Sequence, residues 1–115
     1  MPHIEFMTYK PRKVIAVDVD GTLHFRGNPN EKLIEYLKLR KSEGFELILW
    51  SARGEAYARN AAELFDVTDL FSHIISKPGY IIDDKGWQWI KFVKVIKNIF
   101  ERIPDEIEIS EKDQD

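Results

Sequence analysis

The chain contains no cysteine, which excludes disulfide staples, thiolate nucleophiles and zinc sites built on sulfur. It has no apolar run approaching the ~20 residues that a membrane-spanning helix needs. Its first residues, Met1-Pro2-His3-Ile4-Glu5-Phe6, lack the basic stretch and apolar core of a secretory leader. Neither sign of charge dominates: a formal net charge of −3 gives no broad attraction to nucleic acid or to an anionic membrane. Internal repeats and low-complexity linkers are also absent. These absences predict a soluble, cytoplasmic protein without a membrane partner. A length of 115 residues allows one packed core, so 1–115 is expected to be a single domain, with 1–12 as an N-terminal extension and 110–115 as a mobile polar tail.

What is present is concentrated in Val14-Ile15-Ala16-Val17-Asp18-Val19-Asp20-Gly21-Thr22-Leu23. An apolar strand runs into two aspartates spaced i, i+2, which places both carboxylates on one side of the strand tip. Crowding two carboxylates costs free energy unless a cation or a shared proton compensates. The pattern therefore points to a metal-assisted reaction centre.

The rest of the chain alternates strand and helix. Lys13–Asp18 reads as a parallel strand covered on both faces, and His24–Pro29 as a polar loop with Gly27, Asn28 and Pro29 as turn formers. Asn30 caps a helix running to about Lys41, with Leu33, Ile34, Tyr36 and Leu37 on its apolar side and Gly44 in a left-handed position after its end. Phe45–Trp50 is a second strand and Glu55–Phe65 a second helix, in which Ala58, Ala61 and Ala62 permit close packing. His73–Ser76 is a third strand, Tyr80–Asp83 a fourth, Trp87–Arg102 a helix, and Glu106–Ile109 a candidate edge strand. This order predicts an α/β three-layer sandwich around an open parallel sheet, in which ligands bind beyond the carboxyl ends of the strands. Asp18 and Asp20, Ser51, Lys77, and Asp83 and Asp84 all fall at such ends.

Carboxylates with no nearby Cys or His make a hard oxygen site suited to Mg²⁺ rather than zinc. A hydroxyl and a lysine beside them suit phosphoryl transfer, in which neutralising and positioning the anion is most of the catalysis.

Asp18-Val19-Asp20-Gly21-Thr22-Leu23 resembles the first motif of the haloacid dehalogenase superfamily of phosphatases, and Leu47-Ile48-Leu49-Trp50-Ser51 resembles its second. Lys77 is similar to the lysine of the third motif, and Ile81-Ile82-Asp83-Asp84 to the double-aspartate form of the fourth. The resemblance implies a Rossmann-like core and a Mg²⁺-dependent phosphomonoesterase that works through an aspartyl-phosphate. It implies Asp18 as nucleophile and metal ligand, and Asp20 as acid and then base, with its backbone carbonyl on the metal. Ser51 and Lys77 would hold the phosphoryl group, Gly21 and Thr22 would shape the substrate loop, and Asp83 or Asp84 would complete the metal set. Members of the family usually carry a cap domain, but about 27 residues separate Asp20 from Leu47, which leaves no room for one. The expected site is open. It would suit a phosphorylated small molecule, a nucleotide or a polynucleotide end, or closure by a second subunit in a homodimer.

Plainer readings stand beside these. Lys10-Pro11-Arg12-Lys13 is a solvated approach to the first strand, and Lys77-Pro78-Gly79 alone is an ordinary turn. Arg53 faces either a substrate anion or a local carboxylate, and His24 reads as an exposed loop histidine. Trp87, Trp89, Phe92, Val93, Ile96 and Phe100 read as core, with Trp87 or Trp89 also available to a partner. Two other functional classes use similar groups: a phosphate-accepting signalling receiver domain and a catalytically silent binding module. The receiver requires its acceptor aspartate after the third strand, and His73–Ser76 ends without one. The silent module would lack a nucleophile, an acid or a lysine, and none is missing.

Overall fold

The structure, a computed structural model, describes residues 12–98 and 103. Three parallel strands, β1 (Val14–Asp18), β4 (Glu46–Ser51) and β5 (His73–Ser76), form the sheet in the order β1-β4-β5. Between β1 and β4 come a hairpin of β2 (His24–Phe25) and β3 (Asn28–Pro29) and the helix α1 (Glu31–Ser42); α2 (Glu55–Leu64) and a single 3₁₀ turn at Thr68–Leu70 link β4 to β5. The register sets Asp18 beside Trp50 and Ser51 beside Ser76. Both crossovers move the same way along the sheet, so right-handed connections place α1 and α2 on one face. This is a Rossmann-like α/β core, and no cap is inserted between β1 and β4.

The core lies between those helices and that face. Val17, Leu47, Leu49 and Ile74 are buried there with Leu33, Ile34 and Leu37 of α1 and Ala58, Ala61 and Ala62 of α2. The alanines let α2 approach the strands closely. The opposite face is less well covered: Val14 and Ile75 are exposed, and Ile48 and Trp50 are half-buried. The strand expected to be enclosed on both sides is therefore enclosed on one.

The hairpin replaces the expected loop. Arg26 and Gly27 both have positive φ (52° and 88°), as required at the two central positions of the turn that matches strand twist. Asn30 then ties three pieces together from a fully buried position. Its Oδ1 accepts the Leu33 N–H at 3.2 Å, capping α1. Its Nδ2 donates to the Thr22 carbonyl at 3.0 Å, and its own N–H to the Leu23 carbonyl at 2.8 Å. At the far end of α1, Gly44 takes φ 96°, as expected.

Beyond β5 the structure departs from the sequence pattern. Tyr80–Asp83 pairs with no described strand, and Tyr80 and Ile82 are 95% and 103% exposed. Among the described residues β1 is at the sheet edge. A three-residue apolar run, set between Pro78-Gly79 and Asp83-Asp84, has little length with which to hold a ladder. No helix forms over 87–98 either. Turns cover 84–89, closed by Gly86 N–H to Asp83 O, Gln88 N–H to Lys85 O and Ile90 N–H to Trp87 O, and 90–97 has no regular structure. The apolar spacing there is helical, but Ile90, Phe92, Val93, Val95 and Ile96 are β-branched or aromatic and lose side-chain freedom in a helix. Trp87, Trp89, Phe92 and Val93 are exposed rather than core, and Ile96 alone of the expected set packs on the core from this segment. The N-terminal extension, Phe100, Glu106–Ile109 and the tail lie outside the described residues.

Asn30→Ala should lower stability by about 2 kcal/mol, combining a lost N-cap with an unpaired carbonyl at Thr22. Urea unfolding followed by circular dichroism checks this, and a midpoint equal to wild type would refute the anchoring role.

Candidate active site

The carboxyl ends of the three strands gather the polar residues of the first two motifs and the lysine. Asp18 closes β1, Ser51 closes β4, and Lys77 follows β5 directly. Asp18 and Lys77 are two strand spacings apart across the sheet, about 10 Å, with Lys77 two residues further along in register. Lys77 is fixed at its backbone, where its N–H donates to the Ser51 carbonyl at 2.9 Å. Its exposed side chain has no polar partner among the described residues.

After Asp18 the chain turns sharply. The Val19 carbonyl accepts from the N–H groups of Thr22 and Leu23 at 3.2 and 2.9 Å. Gly21 has φ 72°, a conformation that costs a residue with a Cβ. Thr22 holds this loop through its backbone, by its N–H and by the carbonyl that Asn30 binds. The expected fixing by its side chain is not found among the described residues.

Asp20 is the most heavily engaged group. The Tyr57 hydroxyl donates to its Oδ1 at 2.5 Å, His24 Nε2 lies 3.2 Å from the same oxygen, and Arg53 Nη1 lies 3.4 Å from Oδ2. His24 Nδ1 accepts the Gly27 N–H at 3.0 Å. The proton of the neutral ring therefore sits on Nε2 and points at Asp20. Arg53 also lies over the Tyr57 ring, 3.9 Å from its centroid, a cation–π arrangement that steadies both side chains. The Tyr57 hydrogen bond, with Arg53 and His24 adding to it against partial desolvation, holds the Asp20 carboxyl below its ordinary range. The same bond pushes the Tyr57 hydroxyl up. Arg53 thus lies against a local carboxylate, that of Asp20. His24 is half-buried and bonded on both nitrogens, not a free loop residue.

Ser51 is buried, and its Oγ accepts the Arg53 N–H at 3.0 Å, which leaves its own proton to be donated. The start of α2 is capped from outside the helix. Gly54 at the cap position has no side chain to offer, and Ser76 Oγ from β5 accepts the Glu55 N–H at 3.0 Å instead. Neither Ser76 nor Tyr57 belongs to a sequence motif. Ser76 follows from strand register, and Tyr57 from its place in the first turn of a helix that leaves a site-bearing strand end.

The second acidic pair is not brought to the first. Asp83 Oδ1 accepts the Lys85 N–H at 2.8 Å, in a local turn, and Asp84 is exposed, 3.9 Å from the Lys85 ammonium. Among the described residues no three acidic or histidine side chains gather to hold a metal ion. A Mg²⁺ ion keeps several waters and needs only one or two carboxylates of its own, with substrate phosphate completing its shell. The donor chemistry of Asp18 and the Asp20 carbonyl fits that requirement.

Tyr57→Phe removes the largest influence on Asp20, so its carboxyl should titrate at higher pH than in wild type. Carbon-13 NMR of the aspartate carboxyls reads this directly, and an unmoved Asp20 titration would contradict the assigned hydrogen bond.

Against known proteins, the family model of haloacid dehalogenase-like hydrolases matches residues 15–113. No curated protein and no solved structure matches the chain. The match extends from β1 past the last described residue and carries the Asp18–Thr22 loop, Ser51 and Lys77 within it. With that match added to the parallel core and its strand-end polar groups, the chain belongs to the haloacid dehalogenase-like hydrolase family.

Proposed function

We propose that this hydrolase is a Mg²⁺-dependent phosphomonoesterase in which Asp18 is the nucleophile. The observation that carries the reading is the gathering of Asp18, Asp20, Ser51 and Lys77 at one end of a parallel sheet. Asp18 attacks phosphorus, the P–O bond to the alcohol breaks, and the leaving oxygen takes a proton from Asp20. Water, deprotonated by Asp20, then releases phosphate and restores the Asp18 carboxylate. Ser51 and Lys77 bind the phosphoryl oxygens. When bound, Mg²⁺ held by Asp18 and the Asp20 carbonyl would neutralise charge on the phosphoryl group.

The surroundings of Asp20 bear on both halves of this cycle. Its ionised form is favoured in the free protein, as a base for water requires. A dianionic phosphoryl group arriving beside it pushes the carboxyl back up, which lets it carry a proton while the ester is bound. One carboxyl thus serves as acid with substrate and as base after it.

Two outcomes check the proposal. Hydrolysis of phosphate monoesters should vanish with EDTA and return with Mg²⁺, and activity untouched by EDTA would remove the metal from the account. Asp18→Asn should lower kcat by roughly 10³-fold or more, and Lys77→Ala by about 10²-fold, with folding unchanged by circular dichroism. A folded protein inert toward every phosphoester would favour the silent binding module.

A further inference from the structure

Next to Asp20 lies a cavity of about 160 Å³ between the hairpin and α2. His24 and Gly27 line it from one side, and Tyr57, Asn60, Leu64 and Phe65 from the other. Two of these walls, His24 and Tyr57, are the groups that hold Asp20 Oδ1. The cavity therefore shares two of its walls with the groups that hold the Asp20 carboxyl.

Size and lining together restrict what fits. Pockets for drug-sized ligands run to about 300–1,000 Å³, whereas an apolar cavity of about 150 Å³ holds one benzene ring. At about 160 Å³ this one has room for a single ring. Its floor is aromatic, with the His24 and Phe65 rings 5.3 Å apart between centroids and tilted by 35°, and it leaves the Tyr57 ring edge and Leu64 for contact. The polar atoms of the lining are already used. His24 spends one nitrogen on Asp20 and the other on the Gly27 N–H, and Tyr57 gives its hydroxyl to Asp20. Asn60 alone offers a side-chain amide. A sugar placed here would lose water from several hydroxyls and gain few bonds in return, whereas a flat ring loses little and stacks.

We infer that this cavity is the leaving-group site, and that the substrates are phosphate monoesters of alcohols carrying one flat aromatic ring; the inference rests on the phosphatase reading. The ring enters between the hairpin and α2 while the phosphoryl group lies at the strand ends. Selection that a cap would otherwise provide comes from His24, Phe65 and the α2 surface.

Benzyl phosphate and ethyl phosphate test this, because both release a primary alcohol and only one carries a ring. With Mg²⁺ present, KM for the benzyl ester should be about 3- to 10-fold lower, the range expected of aromatic contacts. Asn60→Trp, at an exposed helix position on the cavity wall, narrows the cavity and should bring the two KM values together. Equal KM values in the wild type would overturn the inference. If neither ester is hydrolysed, the phosphatase reading fails, and the cavity is still decided by unhydrolysable phosphonates. Amide NMR signals of Gly27, Asn60 and Leu64 should shift with benzylphosphonate and not with ethylphosphonate, and identical shifts with both would dismiss the site.

Discussion

The parallel ladder from β1 through β4 to β5 is the constraint from which the site follows. Its register puts Asp18 beside Trp50 and Ser51 beside Ser76, so each strand delivers a polar residue to the same edge. Two clamps then convert that edge into a defined surface. Asn30 binds the Asp20–Leu23 turn to the start of α1, and Ser76 binds the start of α2 from the neighbouring strand. With both helix starts fixed, Tyr57 and Arg53 on one side and His24 on the other can close on a single carboxyl. Without the ladder none of these groups would meet.

That convergence holds the Asp20 carboxyl in one place although no cap is inserted between β1 and β4. Asp20 accepts from three side chains that belong to different pieces of chain. These contacts hold its carboxyl below the ordinary range, the Tyr57 hydrogen bond most of all, although the site lies at the surface. The hairpin is small, yet its tight turn directs His24 Nδ1 to a backbone N–H and Nε2 to Asp20, so a four-strand-residue flap fixes one tautomer.

Much of this was legible in the sequence. The first helix with its Asn30 cap, the alanine face of α2, the His73–Ser76 strand and the strand-end positions of Asp18, Ser51 and Lys77 follow from period, caps and apolar runs. Other parts were not. A left-handed arginine at position 26 carries no local signal, so the hairpin read as a loop. Tyr57 and His24 are tertiary partners of Asp20 from 37 and 4 residues away, and spacing alone does not reveal such contacts. The segment from Tyr80 misled in the opposite way: its apolar positions have helical and strand periods, but its β-branched composition and flanking turn formers oppose both. Asp83 and Asp84 consequently stand apart from Asp18 and Asp20 in the described residues, although the motif order places all four together.

The central claim is that Asp18 takes the phosphoryl group. Asp20→Asn, which slows release of phosphate from the enzyme, incubated with Mg²⁺ and a phosphate ester and then quenched in acid, tests it by peptide mass spectrometry. The account predicts one added phosphoryl group on the peptide that contains Asp18, lost on treatment with hydroxylamine. Phosphate confined to another residue, or turnover by the wild type with no phosphorylated peptide trapped in the variant, would contradict it.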